Sequence, residues 1–436
     1  MAAPIRGQED VAPVVLQDLS APQPPLRNGF AQTFRALRHR NFRLFVAGQI
    51  VSLVGTWMQN VAQAWLVYRL THSELLLGTT WFCTQIPVFA LGPLGGLVSD
   101  RYSRHKLVIL TQTVAMLQAL ALAVLTLTGA VQVWHILLLA MALGVVNAFD
   151  MPGRQSLIAS LAGREDLLNA ISLNSAIFNA ARVVGPAVAG VLVAAVGEGA
   201  CFLFNALSFL AVIGCLLAMR LPKFERQTQD SPWAHLVDGF RYAYRHQTVR
   251  RLLFMMAATT IAGMPAMVLM PFFADAIFHR GSQGLGYLTG AMGIGAVIGT
   301  LVLARRSQVS GLAEVIFFSA ACMGAGFIAF SVSPWFTLAL AIMPVIGYSV
   351  MRQMASANTL IQTSIPDQYR GRIMALYSMT VVGLGPFGSL AAGAMAHAVG
   401  ARATVIAGGC LGLAAAFAFR FTMGRDKGES ASCASS

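Results

Sequence analysis

Charged residues are scarce in this chain. Of its 436 residues, 56% are hydrophobic and only 11% are charged, whereas a typical soluble domain is about 25% charged. A single soluble core stops growing near about 250–300 residues, so this much apolar sequence requires a solvent other than water. The composition therefore excludes an ordinary soluble globular protein and favours an integral membrane protein.

The chain also lacks the features of a secreted or metal-binding protein. The first thirty residues contain no apolar segment followed by a cleavage site, which argues against a signal peptide. Its six cysteines have neither metal-ligand nor redox spacing. Five of them lie inside apolar runs, and Cys433 lies near the end of the chain. We therefore interpret them as small hydrophobic residues and expect no disulfide framework and no metal site.

The motifs of common enzymes are missing as well. The sequence has no phosphate-binding glycine loop followed by lysine, no paired-histidine zinc helix and no glycine-flanked nucleophilic serine. The segment Gly383–Gly388 has the glycine spacing of a dinucleotide site, but it lies inside an apolar run with no strand before it. We therefore expect a protein that is not an enzyme and carries no cofactor.

What the chain has instead is a series of long apolar runs. Most of them approach the roughly 20 residues that a helix needs to cross about 30 Å of hydrocarbon. The fold class predicted is an all-α membrane protein with twelve transmembrane helices. The candidate spans are Leu44–Tyr68, Leu76–Val98, Leu107–Leu127, Val133–Phe149, Ser172–Val196, Ala200–Met219, Leu252–Ile277, Leu285–Ala304, Leu312–Val332, Trp335–Met351, Ile373–Val399 and Ala403–Phe421.

The basic residues predict the orientation of these spans. Of the 30 lysines and arginines, three lie on one side (Arg69, Arg280 and Arg402), Arg182 lies within a span, and all the others lie on the other side. This bias predicts that both termini are cytoplasmic. The formal net charge of +13 is then a consequence of topology. Because the bases are scattered over separate loops, no nucleic-acid partner is expected.

The sequence repeats itself at an offset of 200 residues. The segment Arg182–Pro186 lies opposite Val382–Pro386, and a polar loop precedes both helices. The repeat predicts two pseudo-symmetric six-helix halves with a substrate site between them, near the middle of the membrane. The predicted parts are a disordered cytoplasmic tail (1–33), the first half (34–219), a cytoplasmic linker (220–251), the second half (252–423) and a second cytoplasmic tail (424–436).

A short charged tract, Gly95–Lys106, connects the second and third apolar runs. It resembles the loop between the second and third helices of major facilitator superfamily transporters. Ser103 stands where that pattern has its second glycine. Five residues of the tract fall in register with the pattern: Gly96, Asp100, Arg101, Arg104 and His105. The resemblance implies the major facilitator fold and a function in transport.

The resemblance also implies a gate built on this tract. Asp100 would accept hydrogen bonds near the start of the eleventh helix, where the helix dipole favours a negative charge. Arg104 would bridge to Asp150 at the inner end of the fourth helix. Such a clasp would hold the halves together on the cytoplasmic side, with Gly96 and Arg101 completing the gating loop. The alternative is that the tract only fixes topology and loop shape.

Arg182 is the most costly residue to place in a membrane. An arginine inside a span costs at least about 2.5–3.5 kcal/mol, so it should face a wet cavity or a partner. The segment that begins with it resembles the fifth-helix signature of antiporter-type drug exporters. The glycine–proline pairs Gly185–Pro186 and Gly385–Pro386 are predicted hinges where the halves rock. The alternative for Arg182 is a structural role at the interface.

Polar residues form a stripe on the first helix. They recur every three or four residues and therefore share one face, which predicts a cavity wall. A similar stripe on the fifth helix includes Asn179 and Arg182. Hydrogen bonding between helices is the alternative. The first-helix stripe consists of Gln49, Ser52, Thr56, Asn60 and Gln63.

Carboxylates that could couple transport to protons are not evident. No acid lies deep within the first six predicted spans. Asp275 and His279, near the outer end of the seventh helix, are expected either to pair with each other or to take up a proton.

Within the superfamily, the chain resembles the bacterial branch that contains enterobactin-type siderophore exporters and drug efflux proteins. Three tracts carry this likeness: Phe34–Gln49, Asp150–Gln155 and Tyr369–Met374. It implies a proton-driven exporter of an amphipathic small molecule, acting as a monomer in the bacterial inner membrane. The alternatives are an importer of the solute:proton symporter type, a lipid flippase and a membrane enzyme; the absence of nucleophile and metal motifs argues against the enzyme.

Overall fold

The computed structural model describes residues 34–219, 241–304 and 311–433. Within these ranges, residues 100, 164, 304, 367–368 and 424–433 are described by their backbone alone. The expected tail 1–33 and most of the expected linker 220–251 lie outside the described residues. The described chain is helical and contains no strand.

Twelve helices of the described chain are long and apolar enough to cross a membrane, as the sequence predicts. Their bounds are α1 Arg40–Thr71, α2 Glu74–Arg101, α3 Arg104–Leu127, α4 Val133–Leu161, α5 Gly163–Val196, α6 Glu198–Leu217, α7 Gln247–Val268 continued by Met270–Phe272 and a π-helical turn Phe273–Ile277, α8 Gly281–Ala304, α9 Leu312–Val332, α10 Phe336–Ser364, α11 Asp367–Gly383 and Gly385–Val399, and α12 Ala401–Cys433.

Several helices are longer than the predicted spans. The fourth span was predicted to end at Phe149, but α4 continues to Leu161; the tenth was predicted to end at Met351, but α10 continues to Ser364. Apolar length measures only the part of a helix that crosses hydrocarbon, and a helix satisfies its own backbone hydrogen bonds beyond it. The last helix likewise runs to Cys433, into the segment expected to be a disordered tail.

The two halves share a pattern of burial that is clearest in α4 and α10. Eight buried residues of α4 have buried counterparts in α10 at a constant separation of 203 residues, close to the 200 of the sequence repeat. The α4 residues are Ile136, Ala140, Leu143, Gly144, Val146, Asp150, Gly153 and Ile158. Their α10 counterparts are Ala339, Met343, Ile346, Gly347, Ser349, Gln353, Ser356 and Ile361. The helices therefore occupy equivalent places in the halves.

The halves contact each other along two helix pairs, α5 with α8 and α2 with α11. Glycines permit the close approach: a Cβ at Gly190 would lie 2.8 Å from the Gly286 Cα, and a Cβ at Gly78 would lie 3.0 Å from the Gly393 Cα. These glycines lie at the end of the bundle where α1 ends, which we call the far end. The near end is the one where α1 begins.

In the described part of the chain, the apolar core joins the halves at the far end. One buried cluster contains residues of both halves, among them Leu66 and Phe202 of the first and Phe330 of the second. Toward the near end each half has a buried cluster of its own, represented by Phe42 in the first and Ile361 in the second. The bundle is therefore closed at the far end, and the halves separate toward the near end.

Candidate functional site

A cavity of about 290 Å³ lies in the middle of the bundle. Its wall comes almost entirely from the first half, and Val382 of α11 is contributed by the second. The polar residues of the wall are Ser52, Thr56, Asn60, Gln63, Thr80, Thr84, Gln85, Gln112, Asn147, Asp150 and Arg154. Its aromatic residues are Trp57, Trp81, Phe178 and Phe209. Such a mixture of apolar surface and a few polar groups is typical of sites for small molecules.

The polar stripe of α1 lies along this wall. Thr56, Asn60 and Gln63 are lining residues, as is Ser52 one turn before them. The Thr56 hydroxyl donates a hydrogen bond to the Ser52 carbonyl within the helix (2.9 Å). Gln49, one turn nearer the start of α1, is buried and contacts α4 instead. The stripe is therefore placed to contact a bound molecule, and its role in binding stays a prediction.

An ion pair lies in the wall between the buried Asp150 and the partly exposed Arg154, one turn apart on α4. The Asp150 carboxylate is 1% exposed, and its Oδ2 lies 2.6 Å from Arg154 Nη2. Thr111 and Gln112 of α3 donate hydrogen bonds to Oδ1 at 2.8 and 2.9 Å. Arg154 also donates from Nη1 to Gln49 of α1 (3.0 Å). The pair thus ties three helices of the first half together.

This network corrects one expectation. Asp150 was expected at the inner end of the fourth span; helix α4 continues past it to Leu161, and Asp150 is buried. The expected bridge from Arg104 to Asp150 is not formed, because Arg154 occupies the carboxylate; the Arg104 Nε is buried without a hydrogen-bond partner. Sequence reasoning missed Arg154, although acid and base four residues apart share a helix face.

The second half carries no acid at the equivalent place. Gln353 of α10 is the counterpart of Asp150, is equally buried and donates a hydrogen bond to the Thr259 hydroxyl of α7 (2.8 Å). The two halves are therefore alike in shape at this position and differ in charge.

The predicted gating loop connects α2 and α3 at the near end. Asp100 lies in the last turn of α2, and its side chain is outside the described part of the structure. Arg101 is exposed, and the His105 ring lies 2.8 Å from the Leu216 carbonyl oxygen. Gly96 faces open space, whereas a Cβ at Gly95 would overlap the Ala148 carbonyl of α4. Gly95, rather than Gly96, is the residue that the packing of α2 requires.

Arg182 projects from α5 between the two halves. Its guanidinium carbon lies 5.8 Å from the centre of the Trp57 ring of α1, and its Nη1 lies 3.9 Å from the Met351 sulfur of α10. No described carboxylate lies within 4.0 Å of it. Asn179, the other candidate on α5, donates to the Ser175 carbonyl of its own helix (2.8 Å) and is not among the lining residues described above.

The two predicted hinges differ in structure. Helix α5 runs through Gly185 and Pro186 without interruption, and a Cβ at Gly185 would lie 2.5 Å from the Trp57 Cβ. Gly185 therefore serves the close approach of α5 to α1. Helix α11 is interrupted at Leu384, directly before Gly385 and Pro386. Whether either pair moves during transport stays a prediction.

Asp275 has a different partner from the one expected. The Tyr68 hydroxyl of α1 donates a hydrogen bond to Asp275 Oδ2 of α7 (3.1 Å), and no ion pair forms between Asp275 and His279. Asp275 lies in the π-helical turn. Such π-helical turns are rare in proteins, and those that occur are often found at functional sites.

Among the described residues, no group of histidine, cysteine, aspartate and glutamate side chains could hold a metal ion. Two pseudo-symmetric bundles of six helices, closed at one end and holding a cavity with a few polar groups, define a membrane transporter. Residues 31–436 match the family of transmembrane secretion effectors, and the chain belongs to this family of major facilitator superfamily transporters. The family and the fold are those of transporters, not of enzymes.

Curated relatives match most of the chain at low identity. The staphyloferrin A transporter of Staphylococcus aureus is 25% identical over 352 residues, which are 80% of this chain and 87% of the relative. The multidrug efflux pump Tap of Mycolicibacterium fortuitum is 25% identical over 375 residues (84% and 91%). The enterobactin exporter EntS of Shigella flexneri is 24% identical over 343 residues (78% and 81%). The protein is thus a multi-pass bacterial membrane transporter.

Solved structures confirm the fold. The nucleoside transporter NupG covers 88% of this chain and 98% of its own, with a TM-score of 0.70 at 14% identity. A bacterial homologue of the iron transporter ferroportin, in an inward-facing state, covers 87% and 98% with a TM-score of 0.66 at 18% identity. At these identities the likeness establishes the major facilitator fold alone.

Proposed function

We propose that the protein is a secondary active exporter that moves an amphipathic small molecule out of the cytoplasm by alternating access, driven by the proton gradient. The observation that carries this proposal is the ion pair between the buried Asp150 carboxylate and Arg154 in the wall of the cavity. Ionisable groups inside a membrane protein commonly mark ion or proton pathways. A proton on Asp150 would break the pair and leave Arg154 to find another partner, which couples protonation to the contacts of α1, α3 and α4.

The direction of transport rests on the open end of the bundle. Most basic residues lie at the near end, which supports a cytoplasmic location for that end and for both termini in the bacterial inner membrane. A cavity that opens toward the near end would then receive its cargo from inside the cell. Two of the relatives are themselves described as an exporter and an efflux pump. One chain supplies both halves of the pathway, so we expect a monomer to suffice, with no cofactor besides the proton gradient.

Orientation is testable with one pair of exposed residues. Gln283 lies at the start of α8 at the far end, and Thr363 lies at the end of α10 at the near end. In a cysteine-free background, an impermeant maleimide added to intact cells should label Gln283→Cys and spare Thr363→Cys until the cells are permeabilised. The opposite pattern would place the termini outside.

Transport itself is testable in inverted membrane vesicles. A panel of fluorescent amphipathic dyes would be added outside while the interior is acidified. An exporter exchanging protons for cargo should accumulate at least one dye, and collapsing the pH gradient or the change Asp150→Asn should abolish accumulation. Glu165→Gln, a change at an exposed acid of α5, should leave it intact. Proton-coupled movement in the opposite direction would indicate an importer, and flipping of a labelled phospholipid would indicate a flippase.

A further inference from the structure

Arg182 lies beside the cavity without a described negative partner. Asp150 is the one acid among the described lining residues, and it is already paired with Arg154. The described side-chain contacts of Arg182 are the Trp57 ring and the Met351 sulfur. Neither contact carries a negative charge. The positive charge of Arg182 is therefore not neutralised by any described carboxylate within 4.0 Å.

Arg182 lies next to a residue of the cavity wall, although it is not itself among the described lining residues. Its side chain contacts Trp57, a lining residue, and Met351 of the opposite half. Its counterpart in the sequence repeat, Val382 of α11, lines the cavity. The two contacts place the guanidinium beside the cavity, at the seam between the halves.

Aromatic rings lie beside this cation. Trp57 and Phe178 meet edge to face with ring centres 5.7 Å apart, and both line the cavity. A guanidinium that lies against an aromatic ring keeps its planar fork of donors for a second partner. An oxyanion joined to an aromatic body would satisfy both features at once, since the anion could pair with the guanidinium while the body packs against the rings.

We propose that the substrate is an aromatic oxyanion, such as an aromatic carboxylate, whose negative group pairs with Arg182 and whose ring packs against Trp57 and Phe178. The proposal rests on the proposed function, because it names the cargo of the same cavity. Since Arg182 touches both halves, an anion bound to it would interact differently with the two conformations of an alternating-access cycle. A ligand shifts a conformational equilibrium only through such a difference.

The test uses three probes that share a ring system and differ in charge: radiolabelled 2-naphthoate, 2-naphthamide and 2-naphthylmethylammonium. Binding to purified protein in nanodiscs would be measured by scintillation proximity, with empty nanodiscs as the blank. The parent protein should bind naphthoate saturably and about tenfold or more tightly than naphthamide, as expected for one charge-assisted hydrogen-bonded pair. The ammonium probe should bind most weakly.

The variants then assign the effect to Arg182. Arg182→Gln should weaken naphthoate binding about tenfold or more and Arg182→Lys should weaken it less, because lysine keeps the charge but loses the fork. Arg280→Gln is the matched control, because Arg280 also lies over an aromatic ring, that of Phe336 at 5.6 Å, but at the far end. Monodisperse elution and an unchanged melting temperature would establish that each variant is folded.

Three outcomes would overturn the proposal: unchanged naphthoate binding in folded Arg182→Gln, equal or tighter binding of the ammonium probe, or no saturable naphthoate binding by the parent. Failure of the proposed function looks different. If the protein exports only cationic dyes in a proton-coupled manner and does not bind naphthoate, the proposed anion site is wrong and the proposed exporter function stands. If the protein binds naphthoate selectively but shows no proton-coupled transport, the proposed exporter function is wrong and the proposed anion site stands.

Discussion

The hydroxyl of Tyr68 donates a hydrogen bond to the carboxylate of Asp275, 3.1 Å away, and so joins α1 of the first half to α7 of the second at the closed end of the bundle. The two residues are separated by 207 positions in the sequence. Phe272 packs edge to face against the Tyr68 ring, with centres 6.2 Å apart. Opening the far end would have to break this hydrogen bond.

Tyr68→Phe should therefore favour opening of the far end. A buried hydrogen bond to a charged group contributes about 1.5–3 kcal/mol; because Asp275 is partly exposed, we expect about 1 kcal/mol, or roughly a fivefold change in the open population. Ser282 is 8% exposed at the start of α8. In a cysteine-free background, the rate at which an impermeant maleimide labels Ser282→Cys from outside should rise by about that factor.

Asp275→Asn should raise the labelling rate in the same direction, since it weakens the acceptor of the same bond. Tyr287→Phe is the control, because Tyr287 is 48% exposed on α8. Equal labelling rates in the parent and in Tyr68→Phe would show that the hydrogen bond does not hold the far end closed.

The glycine contacts between α5 and α8 predict a second, independent effect at the same end. A Cβ at Gly190 would lie 2.8 Å from the Gly286 Cα, so Gly190→Ala should force the two backbones apart and speed the labelling of Ser282→Cys. Gly214→Ala is the matched control, because nothing lies within 4 Å of a Cβ at Gly214. A labelling rate equal to that of the control would show that the close approach at Gly190 does not hold the far end closed.

Much of this architecture could be predicted from the sequence. Apolar length gave twelve spans, and the repeat around Pro186 and Pro386 gave two halves, because both signals depend on lipid as solvent and on local residue order. The burial of Asp150 could not be predicted in the same way. Where a helix continues past its apolar span with polar residues facing a cavity, the sequence cannot be distinguished from that of a loop following the span.

The partners of polar residues were also beyond the sequence. The sequence analysis named Arg104 as the partner of Asp150, whereas in the folded structure the carboxylate pairs with Arg154. Tyr68 belongs to no motif, and its approach to Asp275 depends on the π-helical turn that changes the winding of α7. The α1 stripe was predictable because a cavity wall has the period of the helix itself.

The gating tract yields a prediction that rests on the resemblance of its residues to the superfamily pattern. Asp100→Asn should abolish or strongly reduce transport while expression and membrane insertion stay near normal, because one lost charge weakens a clasp without creating a cavity. Dye accumulation in inverted vesicles, normalised to the amount of folded protein, is the measurement. Glu74→Gln, at the opposite end of α2, is the control. Full transport by Asp100→Asn would assign the tract to topology alone.

Variants of the Asp150–Arg154 pair on α4 can distinguish a role of the pair in stability from a role in transport. Arg154→Ala leaves the Asp150 carboxylate buried without its cation, and breaking a buried pair in this way costs about 3–5 kcal/mol. We therefore expect a lower melting temperature of the purified protein.

In the double variant Asp150→Asn with Arg154→Gln no charge is left unpaired, so the melting temperature should return close to that of the parent. If the pair binds the coupling proton, the double variant should still be inactive in inverted vesicles, because an amide cannot exchange a proton in this range. If the double variant recovers both stability and proton-coupled transport, the pair is purely structural. An undiminished melting temperature in Arg154→Ala would show that the hydrogen bonds from Thr111 and Gln112 suffice to stabilise the buried carboxylate.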